Sequence, residues 1–241
     1  MPSDNEKEEK LLEALLEFSQ KLSEERFVLG AGGNTSVKIN DSVFIKPSGL
    51  SFSEMSTDDW VEVSFTTGMV LSPNGEQGTD KKKFHRPSSE LQMHIDIYKN
   101  CPTVSCIFHA HPPHTIAVSA ANISFKHMFP DSVTYLGEII PIIEYCVPCG
   151  EELASLVKQN FSPPLDHYSL VMRNHGAITV GDSPKLAFLR MQVLEELAYM
   201  HWISQACVKS KEGYRTLSQD EVHRIQNLKK IKYRQSLMKK K

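Results

Sequence analysis

Two histidines, His109 and His111, close the apolar run Cys106-Ile107-Phe108-His109-Ala110-His111-Pro112. Such a run reads as a buried strand, and side chains two residues apart leave the same face of a strand. Two imidazoles on one face at a strand end are placed to share a cation. A third histidine, His175, follows far downstream in Met172-Arg173-Asn174-His175-Gly176. Three neutral histidines form a common site for a catalytic divalent metal, usually zinc, with one position left open for substrate. An H-x-H pair alone more often fills a core than binds a metal. The segment Arg86-Pro87-Ser88-Ser89-Glu90 shifts that balance, because it adds a carboxylate after two hydroxyls able to hold an anion.

A Lewis acid beside a carboxylate and an anion pocket points to proton chemistry at carbon. A metal that binds a carbonyl or hydroxyl pair makes a neighbouring C–H more acidic. A carboxylate in a partly dry site takes up that proton and returns it. Phosphate binding remote from the reacting carbons supplies positioning. Retro-aldol cleavage of a keto-sugar phosphate fits this set, as does epimerisation or dehydration of a similar sugar.

The elements that must hold these residues are partly legible. Residues 6–25 carry Leu11, Leu12, Leu15, Leu16, Phe18 and Leu22 at helical period. The segment Leu29-Gly30-Ala31-Gly32-Gly33-Asn34-Thr35-Ser36 then breaks the pattern. No helix follows it, so it is not a dinucleotide fingerprint; a hairpin does, with strands at 37–39 and 43–45 around Asn40-Asp41. Lys46-Pro47-Ser48-Gly49 ends the hairpin with a second small-residue turn, a type of loop that can bind phosphate. A short helix near 57–59, a strand at 60–65 and a polar loop at 72–83 come next. A helix starts at Ser88-Ser89-Glu90 and runs through Leu91, Met93, His94, Ile97 and Tyr98, and its free N–H groups attract anions. Beyond the H-x-H strand the pattern predicts a helix from His114, strands around 133–135 and 139–143 and a helix at 151–159. A strand pair at 169–172 and 177–180 and a long helix over 184–207 follow.

The 241 residues suit one large domain. A net charge of −2 gives no field argument for nucleic acid or membrane. No apolar run approaches the ~20 residues that span a bilayer. The N-terminus lacks the basic and apolar regions of a secretory signal, which makes the cytoplasm the default expectation. Five irregularly spaced cysteines argue against a disulfide framework, and Cys146-Val147-Pro148-Cys149 reads as two reduced thiols in a loop. From His223 onward the chain is basic and reads as a solvated terminus.

Together and in order, Gly33-Asn34-Thr35-Ser36, Pro47-Ser48-Gly49, Pro87-Ser88-Ser89-Glu90, His109-Ala110-His111 and Asn174-His175-Gly176 resemble the class II aldolase/adducin family. The similarity runs from roughly Glu9 to Lys209, which makes residues 1–209 the family domain and 210–241 a basic C-terminal tail. The resemblance implies a three-layer α/β/α fold around a mostly antiparallel sheet, and a homotetramer with sites at subunit interfaces. It implies zinc held by His109, His111 and His175, with Glu90 as a resting ligand that then acts as acid/base. Gly33, Asn34, Ser48, Gly49, Ser88 and Ser89 match positions that hold the substrate phosphate. Within the family, 4-epimerases tend to carry aspartate at the position of Glu90, the methylthioribulose-phosphate dehydratases depart from Pro-Ser-Ser-Glu, and adducin-like members lack a full metal set. The resemblance therefore favours an aldolase that splits a ketose 1-phosphate into dihydroxyacetone phosphate and an aldehyde. Tyr135, Tyr214 and Tyr233 are candidates for the tyrosines that assist in this family.

Overall fold

The computed structural model describes residues 3–71, 85–208 and 213–228. Helix α1 (Asp4–Glu24) opens with a capping box, in which Ser3 accepts from the Glu6 N–H and the Glu6 carboxylate accepts from the Ser3 N–H. It is followed by β1 (Asn34–Ile39), β2 (Ser42–Ile45), two short 3-10 turns and β3 (Val61–Ser64). Then come α2 (Leu91–Asn100), β4 (Cys106–Ala110), α3 (Pro113–Ala120), α4 (Pro130–Leu136) and the two-residue β5 (Ile142–Ile143). The last elements are α5 (Glu151–Asn160), β6 (Ser169–Met172), β7 (Gly176–Gly181), α6 (Pro184–Cys207) and α7 (Gln219–Gln226).

The seven strands form one sheet in the order β3-β2-β1-β4-β7-β6-β5. Every pairing is antiparallel except β5 with β6. Helices cover both faces. Cys106, Phe108 and Ala110 of β4 join Leu15 and Leu22 of α1 and Met191 and Leu194 of α6 in one core. Ile107 of the same strand joins Ile97 of α2 and Val157 of α5 in the other. Strand alternation thus explains why all of β4 is buried although it carries a histidine. On β1 the same alternation sorts polar side chains: Thr35 bonds Ser19 of α1 at 2.7 Å, while Ser36 bonds His94 of α2 at 2.7 Å. This is the expected three-layer α/β/α arrangement.

Three expectations need correction. Residues 133–135 are helical, not extended: they lie in α4, which starts with Pro130 at its first turn and packs on α6. The β-branched character of Val133 and Thr134 yields to that proline start and to burial against a helix. Only Ile142 and Ile143 of the 139–143 run join the sheet; Pro141 has no N–H to give a ladder. The basic run also begins inside structure, because His223 and Arg224 belong to α7, whose Val222 is buried. Residues 229–241 and the 81–83 lysines lie outside the described residues. All five cysteines are free, with Cys146 buried and Cys149 exposed. No described helix is long and apolar enough to cross a membrane.

Helix α3 is held at its start by a charge from α6. The Glu195 carboxylate accepts the N–H groups of His114 and Thr115, both at 2.8 Å, and the Thr115 hydroxyl at 2.8 Å. A carboxylate there satisfies otherwise orphaned donors and complements the helix dipole. The turn into β1 is equally fixed. Gly33 sits at φ +63°, and a Cβ there would meet Val28 Cγ1 at 2.5 Å and the His109 carbonyl oxygen at 2.8 Å. Gly33→Ala should therefore lower stability by about 1–3 kcal/mol, measured by urea unfolding.

Candidate functional site

The register of the sheet brings the distant histidines together. Asn34 of β1 lies opposite His109 of β4, and Ala110 lies opposite Ala177 of β7. The tight link from β6 to β7 then delivers His175 beside the end of β4. Asn174 takes φ +56° in that link, a conformation asparagine tolerates better than most residues. Arg173 anchors the link through Glu144, at 3.0 and 3.1 Å, and through the Asn122 side chain at 2.7 Å.

One donor atom from each of His109, His111 and His175 lies within 4.8 Å of the others. The Nε2 atoms of His109 and His111 are 3.2 Å apart. Neighbouring corners of a zinc tetrahedron with bonds near 2.1 Å are about 3.4 Å apart, so the spacing fits a shared cation. The His109 Nδ1–H donates to the Ala177 carbonyl at 3.0 Å. That bond fixes the tautomer and turns the Nε2 lone pair toward the cluster. Burial, helped by the neighbouring His109, lowers the pKa of His111 to about 3 and of His175 to about 4. Both rings are therefore neutral ligands at physiological pH. Facing lone pairs repel unless a proton or a cation lies between them, and burial disfavours the added proton.

Glu90 is the N-cap residue of α2 and is 8% exposed. Its Oε2 lies 3.2 Å from His109 Nε2 and accepts the Asn34 amide at 2.7 Å. Its Oε1 faces His175 Nε2 at 3.7 Å and has no hydrogen bond among the described residues. Burial acts to raise the Glu90 pKa, but His109, the Asn34 hydrogen bond and His175 outweigh it and hold the carboxyl below its usual range. A carboxylate with one pinned oxygen and one free oxygen fits both a fourth metal donor and a proton acceptor.

The three small-residue loops also converge. Pro47 and Pro87 form a bridge, the Ser48 N–H donates to Arg86 O at 2.9 Å, and the Ser88 N–H donates to Lys46 O at 3.0 Å. Ser48, Gly49 and Ser89 are exposed, Ser88 is buried, and its Oγ accepts the Glu90 N–H at 3.3 Å. Gly33 and Asn34 are buried, and the Asn34 amide is committed to Glu90 rather than turned to solvent.

A family model for the class II aldolase and adducin N-terminal domain matches residues 13–202. The chain belongs to the class II aldolase/adducin family. An L-fuculose phosphate aldolase of Methanococcus maripaludis is 28% identical over 193 residues, covering 80% of this chain and 96% of that protein. Among solved structures, Escherichia coli YgbL, described as a putative aldolase/epimerase/decarboxylase, superposes with a TM-score of 0.76 at 21% identity, covering 91% of this chain and 99% of that one. An L-fuculose 1-phosphate aldolase superposes at 0.74 with 21% identity, covering 93% and 96%. Family membership and the three-histidine cluster together support a metal-dependent, aldolase-type lyase.

Three residues named in the sequence only as parts of a turn, a cysteine pair and a helix pattern prove to lie near this class II aldolase site. Lys46 is 2% exposed, with its ammonium donating to Ala31 O at 2.7 Å and lying over the Phe52 ring. Burial lowers its pKa to about 8, which still leaves a cation among the three loops at neutral pH. Cys149 Sγ lies 3.0 Å from Ser89 Oγ. His94 is fully buried behind Glu90, and burial lowers its pKa to about 3. Of the candidate tyrosines, Tyr214 is bonded to His201 Nδ1 at 2.6 Å, Tyr135 lies in α4, and Tyr233 is outside the described residues.

One divalent cation per chain is the expected result of a zinc or cobalt titration followed by elemental analysis, and His109→Ala should weaken it at least about 100-fold. Acid should destabilise the metal-free protein. The His94 pKa is lower in the folded chain than the ordinary 6.5 of the unfolded one, so its contribution is present above pH 6.5 and lost as pH falls toward 3. In that window the unfolded state binds the extra proton, at a cost of about 1.4 kcal/mol per pH unit. Urea midpoints between pH 7 and 4 should fall less steeply for His94→Gln.

Proposed function

We propose that this chain is a zinc-dependent aldolase that cleaves a ketose 1-phosphate, such as fuculose 1-phosphate, into dihydroxyacetone phosphate and an aldehyde. The observation that carries the reading is Glu90 lying within 3.2 Å of His109 and 3.7 Å of His175 in one buried cluster. His109, His111, His175 and Glu90 would hold the metal. Bound there, a divalent cation would polarise the substrate carbonyl and make the adjoining C–H or O–H more acidic.

The remaining steps belong to the chain itself. Ser48, Gly49, Ser88 and Ser89, with Gly33 and Asn34 at the loop below, would receive the phosphate, and the Lys46 charge favours a dianion there. Glu90 Oε1, having no hydrogen bond in the described structure, would carry the proton between the substrate oxygen or carbon and the leaving fragment. Glutamate at this position and the full histidine set support cleavage over epimerisation, where the family tends to use aspartate. The relatives named for L-fuculose phosphate support a 6-deoxyketose 1-phosphate as substrate. A homotetramer in the cytoplasm completes the proposal.

The test is a screen of ketose 1-phosphates on zinc-loaded protein, with triose phosphate release coupled to a dehydrogenase. An aldolase yields two fragments; a single isomerised or dehydrated product, or none, rejects the reading. Glu90→Gln should keep fold and most metal yet slow hydrogen exchange of dihydroxyacetone phosphate in D2O by about 10²–10⁴-fold.

A further inference from the structure

Behind Glu90 the interface between α2 and β1 holds a continuous line of polar side chains. Glu90, His94 and Tyr98 recur every four residues at the start and along one face of α2, and Asn34 and Ser36 recur every two along one face of β1. Four helical residues advance about 6.0 Å and two strand residues about 6.6 Å, so the rows stay in step. The contacts alternate between them: Glu90 Oε2 to Asn34 Nδ2 at 2.7 Å, Asn34 Oδ1 to His94 Nε2 at 2.6 Å, His94 Nδ1 to Ser36 Oγ at 2.7 Å, and Ser36 Oγ to Tyr98 OH at 2.8 Å. Asn34, His94, Ser36 and Tyr98 are at most 3% exposed.

The carboxylate fixes the direction of the whole line. Glu90 accepts, so the Asn34 amide nitrogen faces it and the amide oxygen faces His94. His94 Nε2 must then carry the hydrogen. A buried neutral imidazole has only one N–H, and burial keeps this ring neutral. Nδ1 therefore accepts from the Ser36 hydroxyl, and Ser36 accepts from the Tyr98 hydroxyl, which burial keeps protonated. Every donor points toward Glu90 Oε2, and chains of aligned hydrogen bonds strengthen one another.

We propose that Asn34, His94, Ser36 and Tyr98 are positioning residues: their one-way hydrogen-bond chain pins Glu90 Oε2 and so assigns proton transfer to Oε1. The proposal rests on the acid/base role given to Glu90. It also makes Asn34 primarily a support for the carboxylate and only secondarily a phosphate contact.

The test uses the full chain loaded with zinc and compares wild type with His94→Leu, which fills the space, and His94→Gln, which can restore the donor to Asn34. Crystal structures should show the Asn34–Glu90 bond in wild type and its loss in His94→Leu. For dihydroxyacetone phosphate exchange, kcat should fall about tenfold or more in His94→Leu, with KM within twofold and most of the rate recovered in His94→Gln. Retention of the Asn34–Glu90 bond in His94→Leu, an unchanged kcat, or a glutamine variant no better than the leucine one overturns the proposal. If wild type exchanges nothing, the acid/base reading of Glu90 fails, and the crystal comparison alone then decides the positioning chain. Should His94→Leu not fold, Ser36→Ala replaces it, with kcat expected to fall about threefold and an unchanged kcat counting against the chain.

Discussion

Strand β4 runs between β1 and β7, and helices close over both sides of it, so the imidazole of His109 has no route to bulk water. That enclosure governs the chemistry of the whole cluster. Burial disfavours a proton on His111 and His175, which are more open than His109 but still half-buried. Nitrogen lone pairs are thereby kept ready and crowded together, an arrangement that favours a metal ion over hydrogen ions. The tight β6–β7 link completes the set, and Gly176 just after His175 leaves the room that Ala110 and His111 occupy.

Buried polar groups are costly unless every donor and acceptor is used. Between β1 and α2 the buried side chains of Asn34, Ser36, His94 and Tyr98 all have hydrogen-bond partners. At the cluster, by contrast, Glu90 Oε1 and His175 Nδ1 have no hydrogen-bond partner among the described residues. Along the line from Tyr98 to Glu90, rigidity is thus supplied from behind and an uncommitted oxygen is left at the front. Glu195 plays a comparable supporting part for α3, which carries the chain directly away from His111.

Much of this was legible in the sequence because it depends on local periodicity. The H-x-H strand, the hairpin after the glycine loop, the start of α2 and the long α6 all follow from alternation or helical spacing. Residues 133–135 misled because strand-forming side chains followed a proline that starts a helix, and tertiary burial decided between them. Helix α7 was missed because charge dominated the reading of a segment whose Val222 is buried. His94, Ser36 and Tyr98 were visible only as members of helix and strand patterns. Their connection needs the pairing of two elements separated by more than fifty residues, which no single-chain period can show. Lys46 was hidden for a similar reason: a lysine in a turn reads as solvated, yet three loops close over it.

The matched rows on α2 and β1 also limit how this chain can change in length. One residue inserted between Glu90 and His94 would rotate all that follows by about 100° around the helix axis. The imidazole and the phenol would leave the interlayer together, and apolar neighbours would face Asn34 and Ser36. A residue added to β1 between those two would invert the strand faces just as abruptly. Evolutionary insertions and deletions should therefore spare these two short segments and accumulate in the links between elements, even where the links lie nearer the surface of the proposed pocket.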